Sequence, residues 1–140
     1  MLGLGRVSNY VAVASGVPIS LKNASAVTFY GYEDDGSQIM TLTQSSSAAA
    51  ADEATLACIT VVHKGPGVGG TWTKVTQAAA ATYDNADDGT NDCVSLTVHA
   101  SQLTPGLDYV ECTVDGGTLA AEIHDLNVQC APANLTSTLA

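Results

Sequence analysis

Positive charge is what this chain most lacks: Arg6, Lys22, Lys64 and Lys74 are its only permanent cations, against 14 acidic residues and a net charge of −10. Nucleic-acid binding requires a basic footprint that neutralises phosphates and releases counterions. Four scattered cations cannot build one, which excludes DNA and RNA as partners. The same Coulomb argument disfavours anionic membrane surfaces, and no apolar run approaches the ~20 residues that span a bilayer. Aromatic residues are 5% of the chain, with one Trp and one Phe. Glu33, Glu53, Glu111 and Glu122 are the only glutamates and Trp72 the only tryptophan, a poor platform for glycoside chemistry. No Gly-x-Ser-x-Gly elbow is present. His63, His99 and His124 each sit in or at the end of a predicted strand without a paired nucleophile, and a strand-end His beside an acid, as in His124-Asp125, is ordinarily structural. The sequence therefore assigns no catalytic residue and no cofactor, and an enzyme is not expected.

Metal chelation fails on strand geometry. Cys58 and His63 are five positions apart and point to opposite faces. Cys93 to His99 and His124 to Cys130 each span about 20 Å at ~3.3 Å per residue. No C-x-x-C spacing compensates, so no metal site is expected. The acidic loop Tyr83 to Asp92 carries calcium-type ligands in Asp84, Asn85, Asp87, Asp88, Asn91 and Asp92. It lacks the EF-hand alternation and reads as a solvated loop that uses Asp and Asn for turns.

What the chain does have is β-pattern. Hydrophobic residues are 46% of the total and charged residues 13%, and β-branched, alternating segments recur between turn signals. Strands are predicted at Val17 to Leu21, Ala26 to Tyr32, Gln38 to Thr43, Ala54 to His63, Thr71 to Thr76, Cys93 to His99, Asp108 to Val114, and Thr118 to His124 continuing to Cys130. The turns between them are Asp34-Asp35-Gly36, Gly65-Pro66-Gly67, Asp87-Asp88-Gly89, Pro105-Gly106 and Asp115-Gly116-Gly117. The last is expected to fold β-strand 108–114 and the following segment into a hairpin. The fold class that follows is all-β: an antiparallel β-sandwich or jelly roll of about eight short strands, with a small barrel as the alternative. The alanine tracts Ala48 to Ala51 and Ala78 to Ala81 are expected in loops with at most one helical turn.

Residues 16–131 form the predicted sandwich domain, flanked by an N-terminal arm at 1–15 and a C-terminal tail at 132–140. Leu2, Leu4, Val7 and Tyr10 in the arm, and Leu135 and Leu139 in the tail, are candidate assembly contacts; a disordered leader is the alternative for the arm. Tyr10 to Ala14 is too short for the core of a secretory signal. Among the cysteines, Cys112 and Cys130 alternate with apolar residues and read as core. Cys58 is ambiguous. Cys93 shares a face with Ser95, Thr97 and His99, which makes it the candidate for an intermolecular disulfide, with Cys58, Cys112 and Cys130 as other candidates.

One resemblance covers most of the chain. It is carried by Ala26-Val27-Thr28-Phe29-Tyr30-Gly31-Tyr32-Glu33-Asp34-Asp35-Gly36, Trp72-Thr73, Leu107-Asp108-Tyr109-Val110-Glu111, Gly116-Gly117, Ile123-His124-Asp125-Leu126, Val128-Gln129 and Ala131-Pro132-Ala133-Asn134-Leu135. This pattern resembles small β-rich head decoration, or capsid cement, proteins of tailed bacteriophages. The resemblance implies a structural virion protein made in the host cytoplasm. Its partners would be the major capsid protein, whose outer surface it binds, and further copies of itself. A neck, collar or tail component is the neighbouring alternative. A secreted or surface-displayed β-sandwich binding module is the alternative of another class; Asn23-Ala24-Ser25 and Asn134-Leu135-Thr136 match the glycosylation pattern it would carry.

Overall fold

In the computed structural model, which describes residues 8–34, 36–67, 69–86 and 90–125, the alternating segments become eleven strands and one 3-10 turn. The strands are β1 (Asn9–Ala12), β2 (Ile19–Ser20), β3 (Ala26–Tyr32), β4 (Gln38–Ser45), β5 (Ala54–Thr55), β6 (Ile59–Gly65), β7 (Thr73–Ala80), β8 (Thr82–Asn85), β9 (Cys93–His99), β10 (Tyr109–Val114) and β11 (Thr118–His124). The larger sheet has the order β1-β11-β3-β9-β6-β7. In the smaller sheet β10 lies between β2 and β4, while β4 pairs on its other side with β8 at its start and β5 at its end. Every pairing is antiparallel. The chain crosses between layers so that β2-β10-β4-β8 faces β3-β9-β6-β7, the interleaved order of a jelly roll. The expected all-β sandwich is the observed architecture.

Alternation fills the space between the layers. In β9, Val94, Leu96 and Val98 point inward and are at most 3% exposed, and in β10 Val110 and Cys112 do the same. They meet Phe29, Met40, Leu42, Ile19 and Ile123, all fully buried. Each side chain of this size contributes roughly 1.5–3 kcal/mol by leaving water.

Several local expectations are corrected. Asp115-Gly116-Gly117 does not close a hairpin: β10 belongs to the smaller sheet and β11 to the larger, so the turn carries the chain across the sandwich. Alternation reports which side chains are buried, and that pattern is the same for a hairpin and for a crossover. The turn is held to β4, the neighbour of β10 in the smaller sheet, by Asp115 Oδ1, which accepts from the Ile39 amide at 2.7 Å, and by Gly116 O, which accepts from Gln38 Nε2 at 2.8 Å. Gly117 adopts φ +70°, and a Cβ there would overlap the Tyr32 carbonyl oxygen.

The single strand predicted over Ala54 to His63 is two strands in different sheets, β5 and β6, with Cys58 half-buried in the link between them. Ala78 to Ala80 lie in β7 rather than in a loop, because pairing with β6 outweighs alanine's helix preference. A register shift between Ile59 and Val61 accommodates them, and Gln77 Nε2 fills it by donating to Ile59 O at 3.2 Å and Thr82 O at 3.0 Å. The start of the acidic loop is strand β8, with Tyr83 and Asn85 turned inward. Within the predicted arm, residues 9–12 are an edge strand of the larger sheet, registered from Asn9 opposite Ile123 to Ala12 opposite Ala120. The readings on Leu2, Leu4, Val7, Cys130, Leu135, Leu139 and the 132–140 tail lie outside the described residues.

Candidate functional site

The outward face of the larger sheet gathers most of the chain's aromatic side chains. On β3, Val27, Phe29 and Gly31 point into the core, which leaves Tyr30 and Tyr32 facing out. Tyr30 stands between Ala120 of β11 and Ser95 of β9, and Tyr32 between Thr118 and Cys93. Tyr10 of β1 is in register with Glu122. The small Ala120 leaves a depression beside the larger rings.

Trp72 completes the wall from just before β7. Its indole lies over Gly65, where an added Cβ would come within 3.0 Å of Trp72 Cδ2. Gly65 is itself the register partner of Cys93, so any side chain at 65 would push the indole away from the sheet. The result is an open groove of about 410 Å³, lined by Tyr10, Tyr30, Tyr32, Trp72, Cys93 and Thr118 among others. Its size falls within the roughly 300–1,000 Å³ of small-molecule sites. Four large apolar or aromatic side chains are exposed among the described residues: Tyr10, Tyr32, Ile39 and Trp72. Three of these line this one groove.

Polar groups fix the walls. The Tyr30 hydroxyl donates to Glu122 Oε2 at 3.1 Å, and burial followed by that carboxylate raises the Tyr30 pKa. Asp34 is the main cause of the raised pKa of Tyr32. Farther along the same face, Thr28 Oγ1 lies 2.7 Å from His124 Nε2 and 2.8 Å from Thr97 Oγ1, a hydrogen-bonded chain across β11, β3 and β9. Asp125 Oδ2 accepts from the Ser25 hydroxyl at 2.9 Å. These bonds pin strands together. Among the described residues, no three His, Cys, Asp or Glu side chains are grouped to hold a metal ion.

The cysteines sort by depth. Cys93 shares the outward face with Ser95, Thr97 and His99 as read from the sequence, yet it is half-buried at the groove floor rather than open. A Cβ at Gly67 would sit 3.2 Å from its sulfur. Burial, then the Asp92 charge, raises its pKa, so little of it is thiolate at neutral pH. Cys112 is core, 1% exposed, and its thiol is pushed up to about 12 by burial. Cys58, Cys93 and Cys112 are all free thiols in the chain.

The groove itself escaped the sequence reading, which judged a lone Trp72 a poor platform. Its residues come from β1, β3, β9, β11 and the approach to β7, and only strand register brings them together. The available signal was Tyr30-Gly31-Tyr32, two aromatics on the same face of one strand.

No family model matches the chain, and no curated protein matches it. Among solved structures it is similar to the Clostridium thermocellum N-terminal endo-1,4-beta-D-xylanase 10B CBM22-1-GH10 modules, complexed with xylohexaose, at 13% identity and a TM-score of 0.26. The match covers 87% of this chain and 20% of that one, so the chain spans about a fifth of that protein's length. A likeness this slight identifies neither a shared fold nor a shared function.

Proposed function

We propose that this protein is a structural component of a tailed-bacteriophage virion, a decoration or cement protein that seats on the outer surface of the major capsid shell in many copies. The sequence resemblance described above motivates the reading. The observation that carries it in the fold is the outward face of the smaller sheet. There Thr41, Thr43 and Ser45 of β4 stand opposite Thr113, Glu111 and Tyr109 of β10, with Thr55 of β5 and Thr82 of β8 continuing the rows. A face of short hydroxyls costs less to strip of water than one coated with Lys and Glu, and the cores of lasting interfaces are depleted of charge in the same way. Cementing needs no chemistry, only a rigid scaffold and many modest contacts that add. The net charge of −10 keeps free copies apart and suits a more basic shell.

Cosedimentation with empty shells of the major capsid protein from the same source tests this. Saturable binding is expected, with a rise in the temperature at which shells rupture, and Thr43→Arg is expected to weaken it. Shells that sediment without the protein would overturn the capsid assignment; binding to isolated necks or tails would move it along the particle. The aromatic groove favours a second reading, a secreted or surface-displayed binding module, which predicts a stable monomer indifferent to shells.

A further inference from the structure

We infer that the groove on the larger sheet is a binding site for a neutral saccharide, stacked through the apolar faces of its pyranose rings on Trp72, Tyr32 and Tyr10. Three observations carry this. First, the exposed aromatic surface of the described residues is concentrated here: Tyr10 is 66% exposed, Tyr32 45% and Trp72 44%. Three strongly exposed rings gathered at one place mark a contact surface, since scattered exposure carries no such pattern. The absence of a side chain at Gly65 lets the Trp72 indole lie close against the sheet beside Cys93.

Second, the chemistry of the walls is amphipathic ring by ring. Tyrosine and tryptophan each offer an apolar face with a hydroxyl or indole N–H at its edge. A pyranose has the matching form, a patch of C–H groups rimmed by hydroxyls. The Tyr30 hydroxyl in the groove wall donates to Glu122 behind it, which leaves its oxygen lone pairs to accept from a sugar hydroxyl. A polyproline segment, which also suits aromatic grooves, has almost no donors to give that hydroxyl oxygen.

Third, charge selects among saccharides. Among the described residues no charged side chain lines the groove; Glu122 lies at Tyr30, and Asp34 and Asp92 act on Tyr32. With a net charge of −10 on the whole chain, sialylated or uronic polymers are repelled. Neutral hexose or N-acetylhexosamine chains are not.

The inference does not depend on where the protein sits in a particle and is tested on the free chain. Trp72 is the single tryptophan, so its fluorescence reports the groove alone. Titration with maltohexaose, cellohexaose and chitohexaose is expected to give a saturable change with at least one of them, and no change with polygalacturonate. Tyr32→Ala keeps the reporter and is expected to weaken binding about tenfold, the scale of one stacking contact. Tyr109→Ala, on the opposite sheet, is expected to leave it unchanged. Calorimetry on Trp72→Ala, with circular dichroism to confirm the fold, gives a second reading of the same site. No binding by any of the three hexasaccharides would overturn the inference. So would equal binding by Tyr32→Ala, or saturation by decaproline alone.

Discussion

The Tyr30 hydroxyl and the Glu122 carboxylate bridge β3 and β11 at 3.1 Å, one register step off the direct pairs Tyr30 with Ala120 and Thr28 with Glu122. This diagonal bond fixes one wall of the groove. Burial and Glu122 together hold the Tyr30 proton more tightly in the folded chain than the ordinary 10.0 of an unfolded tyrosine. A raised folded pKa contributes stability that is present below the unfolded value and lost as pH rises through the folded one. Tyr30→Phe is expected to lower stability at neutral pH by about 1 kcal/mol or less, the net worth of such a bond. It should also make the alkaline loss of stability shallower, as urea titrations at neutral and alkaline pH will measure. An unchanged alkaline slope would mean that Tyr30 does not set it.

Cys112 makes the larger alkaline contribution. Its thiol rises from 9.0 to about 12 on burial, so the folded state is favoured below pH 9.0 and loses that advantage between 9.0 and about 12. A shift of this size corresponds to on the order of 4 kcal/mol. Cys112→Ala is expected to be less stable at neutral pH, through lost packing, yet to fall off less steeply above pH 9. A parallel loss in both proteins would contradict this.

Gly31 and Gln38 occupy one space. A Cβ at Gly31 would overlap the Gln38 amide, which is itself fully buried and donates to Gly116 O at 2.8 Å. Gly31→Ala is expected to cost about 1–3 kcal/mol by overpacking. Gln38→Ala alone should also destabilise. In the double variant the two losses should add to less than their sum, because each removes the other's clash or cavity. Strict additivity in a denaturation cycle would show that the backbone shifts instead.

Cys93 is the outward thiol of β9, half-buried at the groove, and we propose it as the link if copies join by a disulfide. Cys93→Ser should remove a reductant-sensitive oligomer on a non-reducing gel, while Cys112→Ala should keep it. Because burial raises the Cys93 pKa, the linked species should form faster as pH rises toward the thiol's pKa. An oligomer that survives Cys93→Ser places the link elsewhere.

The amount of fold legible in the sequence followed from what alternation encodes. Ala26–Tyr32 and Cys93–His99 match their predicted strands end to end, and Thr118–His124 matches the described part of a strand predicted to continue to Cys130, since β-branched and apolar residues recur along each. Membership of a sheet was not legible. Val110 and Leu119 are both buried whether β10 and β11 pair or face each other across the core. Ala78 to Ala80 misled because alanine has no strand preference of its own and takes its state from β6. The groove was the least legible feature: Tyr10, Tyr32 and Trp72 are distant in the chain, and their shared face exists only once β11 has joined β1 to β3 and β9 has joined β3 to β6.

That last dependence has a consequence for synthesis. β3 takes β9 and β11 as neighbours, β2 takes β10, and β1 has only β11. The N-terminal strands therefore leave the ribosome long before the partners that pair with them exist: the smaller sheet waits for β10, which ends at Val114, and the larger for β11, which ends at His124. Folding that waits on such distant contacts is slow. A chain truncated before Thr118 strands β1 without its β11 partner and leaves one whole edge of β3 bare.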